Sequence, residues 1–166
     1  MLLKEHTKMP SRTENAYAAG LFDGEGHIAI VYRSGKGPGK YRYPRYQLRL
    51  SLSQNNRAAV DWLAAKYGGT TGFKSGKRSY DEGIYERWDW VISTAAAAAF
   101  LKLIRPYVIV KKAELKIALA FQATMMITGR AQIPENIVAF RKECHDNIRL
   151  VRGTQAVFPP EKVSAI

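Results

Sequence analysis

Two acids separated by one glycine, Asp23-Gly24-Glu25, end a run of small residues over 18–26 (Ala-Ala-Gly-Leu-Phe-Asp-Gly-Glu-Gly), directly before an alternating apolar stretch. Carboxylates at a helix end are well placed to hold a divalent cation through hard oxygen ligands. Ala16, Gly20 and Gly24 recur at i, i+4 spacing, so one face of the same helix lets a second helix backbone come close. Glycines at 24 and 26 allow the chain to leave the helix in conformations that a Cβ would resist. An acidic site and a helix-packing surface thus share one short segment.

The second chemical signal is charge. The 166 residues carry 26 Lys and Arg against 14 Asp and Glu, a net charge of +12, with a pI near 9.9. This balance points to a polyanionic partner. It is concentrated: no acid occurs from His27 to Ala59, whereas Arg33, Lys36, Lys40, Arg42, Arg45, Arg49 and Arg57 all fall there. Charges of one sign along a sheet face repel unless an anion lies against them. A twisted antiparallel ribbon fits the DNA major groove, where Arg reads guanine and Gln reads adenine. Gln47 between Arg45 and Arg49 suits that task, with Ser51, Lys74, Arg87 and Asp89 completing the candidate DNA-facing set and Lys36 and Lys40 placed to meet phosphate.

Other chemistries find little support. The single cysteine, Cys144, allows no intramolecular disulfide and fits a reducing, intracellular setting, an organelle or a prokaryotic cytoplasm. Cys144 and the three histidines lack metal-ligand spacing, and neither a Ser-His-Asp nor a Cys-His set is evident. No apolar run reaches the length of a membrane span, and the basic N-terminus lacks the apolar core of a secretory signal.

The elements that must position these residues follow from periodicity. Ser11-Arg-Thr-Glu14 has capping-box spacing after Pro10, which predicts a helix over 12–24. Strands are expected at 27–33 and 42–54, joined by the turn at 34–39; Leu48, Leu50 and Leu52 alternate with Gln47, Arg49, Ser51 and Ser53. A helix over 56–67 ends at Gly68-Gly69, a second hairpin pairs 70–75 with 84–93 across a turn at 76–83, and helices follow at 94–105, 111–128 and 135–151. Trp88 and Trp90 are read as core, and Ala95 to Ala99 as a helix lying on the sheet. The order αββαββα with an extra C-terminal helix makes an α+β domain, placed at 11–152 between an arm at 1–10 and a tail at 153–166.

With these elements in place, the 18–26 run resembles the LAGLIDADG motif of homing endonucleases. Ala19, Gly20, Leu21, Asp23 and Gly26 are identical to it, Phe22 and Glu25 are conservative, and Ala18 and Gly24 depart. The resemblance implies a saddle-shaped antiparallel sheet over DNA and, since only one motif is present, a homodimer through Ala16, Gly20, Asp23 and Gly24. It implies that Glu25 and the Gly24 carbonyl hold Mg²⁺ or Mn²⁺, that Gln54 positions metal-bound water, and that Lys111, joined by Arg57, lies near the scissile phosphate. It gives Asp23 a structural role in fixing a helix end. The activity implied is a double-strand cut at a long pseudo-palindromic site, leaving 3′ overhangs. Two alternatives use the same scaffold: an intron-encoded maturase that binds intron RNA, and a DNA-binding protein without catalysis.

Overall fold

A computed structural model describes residues 9–34, 45–77, 83–127 and 133–153. Residues 1–8, 35–44, 78–82, 128–132 and 154–166 lie outside the described residues, and with them Lys36, Lys40 and Arg42 and most of the expected turns at 34–39 and 76–83.

Helix α1, Arg12–Glu25, starts where the capping box demands: the Ser11 amide donates to Glu14 Oε2 at 2.7 Å and the Glu14 amide to Ser11 Oγ at 3.2 Å. Lys66 clamps the same carboxylate at 2.6 Å; its hydrogen bond, aided by the Ser11 amide, holds the Glu14 carboxyl at about 2. The helix ends with Glu25 itself, one residue later than the sequence reading, and Gly26 opens strand β1, Gly26–Arg33. A Cβ at Gly26 would overlap both the ring and the carbonyl oxygen of Phe22, so this abrupt helix-to-strand junction admits only glycine.

Strand β2, Arg45–Gln54, pairs antiparallel with β1; then come α2, Arg57–Tyr67, β3, Thr70–Lys77, and β4, Ile84–Ser93. β3 runs to Lys77, two residues beyond the expected strand, because its pairing with β4 continues to Ile84. The sheet order β1-β2-β4-β3 sets the two hairpins side by side. Gly69 at φ 94° enters β3 where a Cβ would sit 2.6 Å from the Val91 carbonyl oxygen. Helices α3, Thr94–Ile104, α4, Lys112–Ala123, and α5, Glu135–Gly153, complete the chain, with a short 3₁₀ turn at Thr124–Ile127.

The buried apolar residues of the sheet all lie on one side of it. Ile28, Ile30, Leu48, Leu50, Leu52, Trp90 and Ile92 are buried beneath the helices, with Ala97 and Ala98 of α3 among them. Trp90 also donates to the Gly68 carbonyl at 2.8 Å, whereas Trp88 is only half-buried. Phe100 of α3 meets Phe22, Tyr67 and Trp90 edge-on, with ring centroids 5.3, 4.9 and 5.1 Å away, which seats the motif helix on the core. Helix α5 closes the β1 edge: Arg152 donates to the Ile28 carbonyl and lies 3.6 Å from buried Glu114 of α4. Cys144 is buried in this layer, and burial pushes its thiol up to about 11. No described helix is long and apolar enough to cross a membrane.

Candidate nucleic-acid interface and metal centre

The opposite sheet face carries no buried apolar residue among the described residues. Strand register gathers the sequence-derived set onto it. Arg33 lies opposite Arg45, Gln47 opposite Val31, Arg49 between Ala29 and Ser93, and Ser51 between His27 and Val91. Lys74 lies opposite Arg87, and Asp89 lies between Ser53 and Gly72. Like charges directly opposite one another destabilise an antiparallel pair, so the Arg33–Arg45 and Lys74–Arg87 pairings suit a face that meets an anion.

Asp89 has a different position from its basic neighbours. It is buried, accepts the Ser53 hydroxyl at 2.7 Å, and lies 2.5 Å from Lys74 Nζ and 3.2 Å from Arg87 Nε. Burial by itself would raise its carboxyl; hydrogen bonds from Lys74 and Ser53, with the charges of Lys74 and Arg87, outweigh burial and hold it below the usual carboxylate range. Asp89 therefore holds two cations in fixed positions on the open face. Asp89→Asn is expected to lower the melting temperature by roughly 2–4 °C, measured by calorimetry; both cations are about half exposed and water screens the loss.

At the motif end the two acids separate in role. Asp23 accepts three backbone amides, Ile109 at 2.6 Å and Val110 at 3.2 Å on Oδ2, and Lys111 at 3.1 Å on Oδ1. These amides belong to the loop that leads into α4, whose N-cap, Lys111, gives no side-chain cap. Asp23 thus ties the end of α1 to the loop that precedes α4, up to 88 residues away in sequence. The Lys111 ammonium returns to the Asp23 carbonyl, which sets this cation beside Gly24 and Glu25.

Glu25 is exposed and has no hydrogen bond or ion pair among the described residues. Gly24 is exposed too, and a Cβ there would meet nothing within 4 Å. The last carbonyls of a helix lack intrahelical partners, so a free carboxylate and a free carbonyl, both hard oxygen ligands, stand together. No group of three His, Cys, Asp or Glu side chains lies close enough to hold a metal ion among the described residues. Glu25 and Gly24 are thus two oxygen donors that the described residues leave open.

Gln54 lies at the same end of the sheet, since Gly26 pairs with Leu52, and falls on the helix-covered side opposite Trp88. Arg57 stacks on that indole at 4.6 Å and pairs with Asp61 at 2.9 Å, so its charge is shared with an acid. His27 on the open face was not singled out by sequence. Burial holds its pKa below the usual value, and the charges of Arg152, Lys111 and Arg49 depress it further, which marks a locally positive field beside Glu25. Ala16 and Gly20 are exposed along α1 with Gly24, and no Cβ at Gly20 would meet a neighbour within 4 Å.

No family model matches the sequence, and no curated protein matches it. Solved structures do. The chain superposes on the homing endonuclease I-CvuI in complex with the I-CreI target with a TM-score of 0.62 at 16% identity, over 90% of this chain and 86% of that one. An archaeal intron-encoded homing endonuclease complexed with DNA gives 0.57 at 13% identity over 86% and 96%. The meganuclease I-SmaMI gives 0.53 at 15% identity over 94% of this chain but 48% of its own length. The fold of this chain is that of the LAGLIDADG homing endonucleases, and the 18–26 run lies in it at the end of α1 and the first residue of β1.

Proposed function

We propose that the chain is a site-specific DNA endonuclease that works as a homodimer and uses a divalent metal ion. The observation that carries this reading is the free Glu25 carboxylate beside the Gly24 carbonyl, at the junction of an unpartnered small-residue helix face and a one-sidedly basic sheet. A polar binding surface alone gives no reason for that arrangement.

The open sheet face would meet the major groove, with Arg45, Gln47, Arg49 and Ser51 towards the bases and Arg33, Lys74 and Arg87 completing the basic surface. The Ala16, Gly20 and Gly24 face would pack on its counterpart in a second copy about a two-fold axis, bringing two Glu25 carboxylates together. That I-SmaMI is about twice as long as the matched region supports one chain supplying one half. A bound Mg²⁺ or Mn²⁺ would activate water and stabilise the charge that develops on the phosphate. Lys111, fixed on the Asp23 carbonyl, offers a cation to the phosphate, and Gln54 offers an amide to orient water. Related complexes were obtained in 2 mM Mg and in 2 mM Ca, which supports a divalent ion in this fold. Cleavage across the minor groove would leave 3′ overhangs.

Selection of cut sequences from a randomised duplex library tests the reading. With Mg²⁺ the protein should release double-strand breaks with 3′ overhangs at a two-fold symmetric consensus, and with Ca²⁺ it should bind without cutting. Binding without cleavage in Mg²⁺ and in Mn²⁺ would leave a DNA-binding protein, and preference for structured intron RNA over every duplex would leave a maturase.

A further inference from the structure

A cavity of about 310 Å³ lies between the first residues of β2, the start of α3 and the α4–α5 pair, and Arg141, Gln122, Thr94 and Arg45 line it. Arg141 is 5% exposed, yet it has no ion pair among the described residues. Its Nε donates to Thr124 Oγ1 at 3.0 Å and its Nη2 to the Thr124 carbonyl at 2.8 Å, both neutral acceptors. Residues 35–44 and 128–132, which precede the lining residues Arg45 and Ile133 in sequence, contain no Asp or Glu. A buried cation without an opposite charge is costly, and burial pushes the Arg141 pKa down.

Two further groups face the same need. Gln122 Oε1 is buried without a hydrogen-bond partner. Ser93, the N-cap of α3, makes no side-chain cap bond, and Thr94 follows at φ 58°, so the amides that open this 11-residue helix lack a side-chain acceptor. A cation and a positive helix end call for an oxyanion, while the orphan amide oxygen calls for a donor. One ligand class supplies both.

We propose that this cavity binds a protonated phosphate, its oxygens taken by Arg141 and the α3 amides and its P–OH donated to Gln122 Oε1. The site is separate from the motif end, and it does not depend on the nuclease reading. Sulfate has the same shape but carries no proton at neutral pH.

The test is thermal unfolding of the DNA-free full chain in inorganic phosphate, sulfate and chloride at matched ionic strength. Phosphate at about 100 times its Kd should raise Tm saturably by roughly 5–10 °C, sulfate by less, and chloride not at all. Arg49→Ala, on the open sheet face, should keep the response. Arg141→Met should lose it. Thr94→Asp should lose it as well and should melt higher than wild type without phosphate, because its carboxylate meets Arg141 and the α3 N-terminus; this variant decides the matter if Arg141→Met does not fold. Equal rises in sulfate and phosphate, or a phosphate response unchanged in Thr94→Asp, would overturn the proposal.

Discussion

Glu25→Gln is expected to bind DNA within about threefold of wild type, because affinity comes chiefly from the basic sheet and its phosphate contacts. Cleavage in Mg²⁺ should fall by at least about a hundredfold. The substitution keeps shape and removes charge from a side chain that is exposed and has no hydrogen bond or ion pair among the described residues, so the fold loses little there. Unchanged Tm and binding with lost cleavage, measured on one selected duplex, is the expected combination. Cleavage near the wild-type rate would remove Glu25 from the metal site and with it the alignment of the 18–26 run.

Asp23→Ala should act in the opposite manner, on stability first. It removes the acceptor for three amides in the loop before α4, and it frees the chain around Lys111, whose ammonium also holds the end of α1. Losing three amide hydrogen bonds to a carboxylate costs about 2–4 kcal/mol, or roughly 5–15 °C in Tm for a domain of this size. Asp23→Asn should fall between, since it keeps one acceptor oxygen but turns an NH₂ group towards a donor. A Tm within about a degree of wild type for Asp23→Ala would mean that the three amides find water as readily. Taken together, the two substitutions separate acids two residues apart: one bears on chemistry, the other on the joint between α1 and α4.

The resemblance already set Asp23 apart from Glu25 as a structural residue, but what Asp23 holds was not legible in the sequence. Periodicity and capping chemistry act within a few residues, so the start of α1, the alternation of Leu48, Leu50 and Leu52 against Gln47, Arg49 and Ser51, and the Gly68-Gly69 stop were legible. The one-sided basic face was legible for the same reason, since alternation with a period of two fixes which residues share a face. Partners distant in sequence were not legible. Asp23 is expected to fix a helix end, and only the approach of residues 109–111 shows that it holds the loop before α4. Asp89 reads as one polar residue among several in β4, yet its pairing with Ser53 and Lys74 comes from strand neighbours that sequence separates widely. A lone acid in an otherwise basic alternating face was the available signal. Arg141 gave none, since its burial is decided by how α5 packs on α4.

The claim that this chain is one half of a two-fold enzyme is tested most directly by the mass of its DNA complex. Light scattering on a selected duplex in Ca²⁺, where cutting is blocked, should give two 18.6 kDa chains per duplex. Gly20→Leu, which puts a large side chain on the exposed α1 face, should reduce this to one chain or none while leaving the free monomer folded. One wild-type chain per duplex at micromolar protein, with cleavage intact in Mg²⁺, would contradict the account.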